Sequence, residues 1–364
     1  MPSTLRGPIA EAPAGSRSAS DVFADYGWCS CLFLPLSNMA FLAGGPYSWQ
    51  AALLWTSPVW CCILLDWLGP AVDYRPPRPL SSGVYLGLLH GLALLQLVGI
   101  FLLVQMASQL TWGSPAEWGV SLANLIAMRI VTGTTSCCSG IALAHELIHR
   151  RGRWLRGLGR VLLWTVLYDH FTVAHVCGHH RHAATRRDYA TARQGESFAQ
   201  FWRRSVPGQW GEAWRHECAR LRAKPVLRRW LGNRLVQGSA IQGTLLASIA
   251  LLFGPVALAI FVYQAVVAVR LLEAVNYVQH WGLQRDGSRL GPAQAWSTRS
   301  WWSLNSLLGL PLHADHHCNA GNPFHRLVAL DGSPQLPYGY FVMAVMVRVA
   351  NDDYQRLAEK RLHC

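Results

Sequence analysis

The sequence predicts an all-α integral-membrane protein, a bundle of about six transmembrane helices with a cytoplasmic helical region attached. Three observations predict it. Hydrophobic residues make up 51% of the 364 residues and charged residues only 14%, against roughly 25% charge in a soluble globular chain. Six segments approach the length of about 20 mostly apolar residues that a helix needs to cross the hydrocarbon layer. Basic residues, finally, crowd into some of the connecting loops and are missing from the others.

The six spans fall at about 28–46, 48–68, 84–108, 118–144, 236–253 and 256–277, inside a membrane domain running from 25 to 345. Gly44-Gly45-Pro46 and Gly254-Pro255 read as tight, uncharged turns, and the loop from Gln105 to Glu117 holds no Lys or Arg. Arg75 and Arg78, by contrast, lie between the second and third spans. After the fourth, eighteen Lys/Arg stand against five Asp/Glu from Arg150 to Arg234. Because basic loops stay inside, both termini are expected on the cytoplasmic side of the inner membrane, together with the ends of spans four and six. Residues 1–24, with Pro2, Pro8, Pro13 and Gly15, read as a disordered cytoplasmic arm, and 346–364 as a cytoplasmic tail. No basic stretch leading into an apolar run and cleavage site opens the sequence, so a cleaved signal peptide is not expected.

A net charge of +13 would suit nucleic acid, but basic residues beside apolar spans match anionic lipid headgroups better. The lipid bilayer is therefore the expected partner, with no nucleic acid; an acidic redox protein could use the same basic surface. The ten cysteines form no CxxC pair, and Cys61-Cys62 and Cys137-Cys138 sit within apolar runs, so they read as reduced, buried small hydrophobes. Charges interrupt the apolar pattern of spans four and six. Arg129 stands alone, while Arg270 and Glu273, three apart on a helix, are expected to satisfy each other. Trp55, Trp60 and Trp67 read as residues of the membrane interface.

Nine of the fifteen histidines fall into patterns on the expected cytoplasmic side. HELIH supplies His145 and His149, whose spacing of four puts both rings on one helix face. HVCGHH supplies His175, His179 and His180; HADHH supplies His313, His316 and His317; NYVQHWG supplies His280 at the end of span six. Neutral imidazole suits iron, zinc, copper or nickel, so the set points to a metal-binding region without choosing its metal. Nine ligands exceed the four of a tetrahedral zinc site, and two metal ions accommodate them more economically than one. His90 reads as a satisfied buried residue, His170 and His182 as partners of the ligating rings, and His216, His325 and His363 as surface residues. HELIH also fits a membrane zinc protease with Glu146 as general base, but that leaves most of the other histidines without a role.

At these residues the sequence resembles the alkane 1-monooxygenase family, within the wider group of membrane fatty-acid desaturases and hydroxylases. The boxes HX3H, HX3HH and HX2HH match the wider group. The longer match is HELIHRRGRWLRGLG, HVCGHHRHAATRRDYATARQGESF with the following RSV, NYVQHWGL, and HADHHCN with SPQLPYGY downstream. The resemblance implies a non-haem di-iron centre held by His145, His149, His175, His179, His180, His280, His313, His316 and His317. It implies O2 as co-substrate, electrons from NADH through a rubredoxin reductase and rubredoxin, and hydroxylation of a terminal methyl group on a hydrophobic small molecule. Four departures bear on substrate identity. Ala174 and Gln279 stand where the family has Glu, Cys177 and Cys318 lie in or beside ligand boxes, and Leu310 to Leu312 replace a polar Gln-Arg pair. Hydroxylation of an aromatic methyl group or a specialised natural product is the alternative, followed by fatty-acyl desaturation, since these reactions share hydrogen abstraction. A non-catalytic metal transporter is a further class, one that would spread its ligands along a path through the bilayer.

Overall fold

The structure, a computed structural model, describes residues 26–74, 82–285 and 290–362. The arm at 1–24, Arg75, Arg78 and His363 lie outside the described residues. Among those described, secondary structure is helical apart from two isolated bridges, Ala71 with Ser300 and Ser297 with Gln335.

A 3-10 turn, Gly27–Leu32, leads into α1, Phe33–Gly44. Helices α2, Trp49–Leu54, and α3, Ser57–Leu68, follow, with Ser48 capping α2 by accepting the Ala51 N–H at 3.4 Å. Helix α4 is Ser82–Ser108, and α5 is Pro115–Thr135 with Ser114 as its cap. A π-helical segment, Ser136–Ile141, joins α5 to α6, Ala142–Ile148. Amphipathic α7, Arg153–Trp164, and then α8, Phe198–Leu221, precede α9, Arg234–His280. Helices α10, His313–Cys318, α11, Tyr340–Val349, and α12, Asn351–Leu362, complete the order.

Five helices among the described residues are long and apolar enough to cross a membrane: Gly27–Gly44, Trp49–Leu68, Ser82–Ser108, Pro115–Ile148 and Arg234–His280. The count is five where six segments were expected, because 236–253 and 256–277 run on without a break as one 47-residue helical stretch. That stretch is bent back on itself. Gly254, at φ 86°, leaves helical geometry in a region only glycine enters without strain, and Pro255 starts the second arm with no N–H to satisfy. Gly238 in the first arm packs against the Asp169 carboxylate, while Glu273 in the second bonds to Tyr168 at 3.2 Å. A straight helix would hold positions 238 and 273 about 50 Å apart, so contact with adjacent residues requires a hairpin.

Apolar side chains on these helices point outward as well as inward; Leu251, Leu252 and Leu54 are 85%, 76% and 72% exposed, a pattern suited to lipid. Inside the bundle, small residues and amides join the helices. A Cβ on Gly133 would come within 2.6 Å of Val267 Cγ1. Gln96 Nε2 donates to Ser136 Oγ at 3.0 Å, Gln264 Nε2 to the Thr165 carbonyl at 2.8 Å, and Thr132 Oγ1 to Asn38 Oδ1 at 2.8 Å. Trp60 and Trp67 face outward, 57% and 58% exposed, whereas Trp55 packs on Tyr47, 5.8 Å between ring centroids.

Two expectations about buried polar groups are corrected. Glu273 is fully buried, yet it is satisfied by Ser205 Oγ at 2.6 Å, Gln209 Nε2 at 2.8 Å, Tyr168 and Asn276, not by Arg270. Helical spacing allowed their pairing, but Glu273 faces donors on α8 while Arg270 turns outward over the Phe198 ring. His90 is exposed on α4, with Nδ1 donating to the Leu86 carbonyl at 2.8 Å; its own helix satisfies it without burial.

Asp66 at the end of α3 fastens the bundle to the segment before α11. It accepts Ser300 Oγ at 2.5 Å, Ser303 Oγ at 2.7 Å and the Val342 N–H at 3.1 Å, and a Cβ on Gly339 would collide with it. Asp66→Ala is expected to cost about 2–5 kcal/mol, since it strands several buried donors of which each carries a penalty of about 1–3 kcal/mol; thermal unfolding in detergent would register it as a lower Tm. Farther on, the tail expected at 346–364 contains α12, docked through fully buried Tyr354 against Tyr277 and Trp281, 5.5 and 5.8 Å between ring centroids.

Candidate metal centre

All nine pattern histidines meet in one place. Their ligand nitrogens form two groups, each within 4.8 Å: His145, His149, His175, His180 and His316 in one, His179, His280, His313 and His317 in the other. Ring centroids of His180 and His317 are 4.7 Å apart, so the groups adjoin.

Local helix geometry explains the division. His145 and His149 lie one turn apart at the end of the α5–α6 rod, just after its π-helical segment. The second box lies on another π-helical stretch, Ala174–His179, and such insertions are frequent at functional sites. Adjacent residues on a helix point about 100° apart. His179 and His180 therefore serve different groups, as do His316 and His317 on α10. His280 enters from the end of α9.

The approach of the nitrogens is diagnostic. Nε2 of His180 is 3.0 Å from His175 Nε2 and 3.1 Å from His316 Nε2; Nε2 of His313 is 3.0 Å from His280 Nε2 and 2.9 Å from His317 Nε2. A ring nitrogen offers a single in-plane site, either an N–H or a lone pair, so neither can satisfy two neighbours by hydrogen bonding. Nitrogens bound to one ion at about 2.0–2.1 Å and at right angles lie about 2.9 Å apart. Nε2 of His145 and of His149 are buried without any hydrogen-bond partner. The donor set fits a pair of metal ions.

Burial also prepares the rings electrostatically. It holds His149 down to about 3, helped by Arg150 and His179. Burial and then the other imidazoles keep His175, His313, His316 and His317 well below the usual range. Rings kept neutral present the lone pair a metal requires.

Supporting groups fix which nitrogen faces inward. His179 Nδ1–H donates to Asp188 Oδ2 at 2.8 Å, and Thr191 Oγ1 donates to the same oxygen at 2.6 Å. Burial alone would raise the Asp188 carboxyl, but the His179 ring and the Thr191 hydroxyl hold it below the ordinary range. His280 Nδ1–H donates to the Gln294 carbonyl at 3.1 Å. Sequence reading did not single out Asp188 or Gln294; the available signal was that Asp188 is the sole acid between His180 and Glu196. Asp188→Asn is expected to lower activity or metal affinity about 10- to 100-fold, the usual loss when a ligating histidine loses its acceptor, as read by metal titration and turnover.

Ala174 is buried among Val173, Ala213 and Leu235, whereas Gln279 lines the cavity beside His145 and His313 and donates its Nε2–H to Tyr340 Oη at 3.1 Å. His170 lies edge-on to Tyr168, 4.2 Å between centroids, with Nε2 unpartnered, and among the described residues the His182 side chain makes no hydrogen bond to any of the nine rings. His325 stacks on Tyr85 at 3.9 Å, a partly buried position where a surface residue was expected. Glu146 is committed to Arg150 Nη2 at 2.5 Å and the Phe324 N–H at 3.1 Å. Arg150 also donates to the Gly321 and Asn322 carbonyls. Glu146 thus ties the first box to the loop after the third, which is not the posture of a water-activating base in a protease.

An apolar path reaches the histidines. A cavity of ≈ 30 Å³ beside His145 and His313 is lined by Cys137, Ala142, Val275 and Leu310. The same four side chains line a second cavity of ≈ 90 Å³ that extends along α11. Leu310 is part of this apolar neck.

Comparison with known proteins agrees with this arrangement. Residues 118–345 match the sequence model of the fatty acid desaturase family. Alkane 1-monooxygenase 1 of Pseudomonas aeruginosa is 34% identical over 78% of this chain and 74% of its own length. Alkane 1-monooxygenase of Acinetobacter baylyi is 36% identical over 56% of this chain and 52% of its own. The xylene/toluene monooxygenase hydroxylase component of Pseudomonas putida is 28% identical over 54% of each chain.

Proposed function

Because this chain belongs to the fatty acid desaturase family, as a homologue of the alkane 1-monooxygenases, we propose that it is a membrane-bound di-iron hydroxylase acting on a terminal or methyl C–H of an alkane or alkyl chain. The observation that carries the reading is the convergence of nine imidazoles in groups of five and four at the end of an apolar cavity. A metal transporter would space its ligands along the bilayer, and a zinc protease would use neither nine nitrogens nor a Glu146 held by Arg150.

The nine histidines are the ligands on this reading. When bound, a pair of non-haem irons supplies reductive activation of O2 and abstraction of a hydrogen atom. In balance, one oxygen atom enters the C–H bond as hydroxyl, and the other leaves as water with two electrons and two protons. Cys137, Ala142, Val275 and Leu310 admit and orient the chain while excluding water. Asp188 and the Gln294 carbonyl keep His179 and His280 aimed at their group. Electrons come from NADH through a rubredoxin reductase and rubredoxin, which would dock on the basic surface from Arg150 to Arg234. The enzyme lies in the inner membrane with both termini cytoplasmic.

An apolar substrate partitions into lipid at about 0.8 kcal/mol per buried CH2, so the bilayer itself delivers it. A second reading, hydroxylation of an aromatic methyl group, draws on the similarity to the xylene/toluene monooxygenase component. Turnover of purified, iron-loaded protein under labelled O2 tests the proposal. Label in an alcohol product is the expected result; loss of two hydrogens without label would make it a desaturase.

A further inference from the structure

Glu273 is a fully buried carboxylate with no role so far beyond holding α8 to α9. Its Oε1 accepts Tyr168 Oη at 3.2 Å, Gln209 Nε2 at 2.8 Å and Asn276 Nδ2 at 3.2 Å, and its Oε2 accepts Ser205 Oγ at 2.6 Å. Ser205 Oγ in turn accepts from Gln209 Nε2 at 2.8 Å. Ser205 and Gln209 are buried with it, and among the described residues no Lys or Arg pairs with the carboxylate. An ionisable group at this depth in an apolar bundle is costly and normally marks function, proton relays among the commonest.

Position on α9 points the same way. Intervals of three and four put Glu273, Asn276 and His280 on one helix face, with about 10 Å of rise from first to last. His280 belongs to the group of four rings. Between them, Asn276 lines the cavity of ≈ 30 Å³ beside His145 and His313, and no described residue donates to its Oδ1. That cavity has room for one water, and an amide oxygen on its wall gives the water an acceptor. On the other side of Glu273, Ser205 and Gln209 belong to α8, whose outer face is exposed at Arg203 and Pro207. One helix separates the carboxylate from the surface, and one side chain separates it from the cavity at the histidines.

We propose that Glu273 supplies the protons of oxygen reduction, a role that rests on the hydroxylase reading. Each turnover in the balance given above takes up two protons with its two electrons, at a centre walled by apolar side chains. The Glu273 carboxyl gives up its proton by way of a water on Asn276 Oδ1: the acid O–H bond breaks, and one O–H bond of the product water forms. Ser205 then passes a proton from the α8 side to Oε2, and the transfer repeats for the second. A hydroxyl both donates and accepts, so Ser205 relays without net change. Charge balance ties the proton to the electron, because charge added to a buried centre is costly until it is compensated.

Full-length, iron-loaded protein in nanodiscs is compared with Glu273→Gln, which keeps the volume but carries no proton, and with Glu273→Asp, which carries one. On chemical reduction of the iron, infrared difference spectra are expected to show a carboxylic-acid C=O band that shifts in D2O and is missing from Glu273→Gln. In turnover with NADH, rubredoxin reductase, rubredoxin and octane, Glu273→Gln is expected to form alcohol about 10²-fold more slowly, the lower end of what a positioned acid contributes, with an altered solvent isotope effect. Glu273→Asp is expected to recover about tenfold of that loss. Iron content and Tm report folding; where Glu273→Gln loses iron, Ser205→Ala against Ser205→Thr makes the same comparison with Glu273 in place. Absence of the band would overturn the proposal, as would wild-type turnover with an unchanged isotope effect in Glu273→Gln. Equal losses in the Gln and Asp variants, or in Ala and Thr, would overturn it too, leaving Glu273 a packing group. Should the band appear but wild-type protein form no alcohol, the hydroxylase reading fails and the proton site stands.

Discussion

Replacing His280 by alanine is expected to reduce iron from about two ions per chain to about one and to lower turnover by about 10³-fold or more, the scale on which a catalytic constellation loses function when one member is removed. His280 belongs to the group of four, with His179, His313 and His317, so its loss leaves three nitrogens around one ion. It also releases the Gln294 carbonyl, 3.1 Å from its Nδ1. His316→Ala takes a ligand from the group of five and leaves four, so that variant is expected to hold its metal better. Metal analysis of the two purified variants, beside circular dichroism to show that each is folded, distinguishes the groups. Equal iron loss in both would mean that the nine rings behave as one site.

The second large effect is expected at the neck between the two cavities. Ala142 is the first residue of α6, three positions before His145, and it lines both cavities. Ala142→Phe would place a ring across the neck. Three to four methylenes denied the outer cavity, at about 0.8 kcal/mol each, amount to about 3 kcal/mol, or roughly 100-fold in kcat/KM. The loss should fall on long chains far more than on chains short enough to fit beside the histidines. Overpacking costs about 1–3 kcal/mol as well, so retained iron content and Tm identify the effect as one of access. A uniform loss across chain lengths would show that substrate does not pass Ala142.

Much of the site was legible because it is written in short, regular spacings. A helical spacing of four placed His145 with His149, and the paired histidines at 179–180 and 316–317 announced a ligand set too large for one ion. Which ring joins which group was not legible. That depends on the π-helical turns at 136–141 and 174–179, and on helices far apart in sequence meeting at one level. Asp188 escaped notice for the same reason, since its value lies in the His179 ring that folding brings to it. The supposed pair of Arg270 and Glu273 failed because helix spacing states only that two side chains can meet. Donors on α8 reached Glu273 instead.

By itself the sequence determined the apolar helices, the turn at Gly254-Pro255 and the nine imidazoles, because hydropathy, glycine freedom and ligand chemistry are local properties. Tertiary structure alone decided the division of the rings into five and four and the neck of Cys137, Ala142, Val275 and Leu310. Each of these is a distance between residues remote along the chain, fixed only when the helices pack.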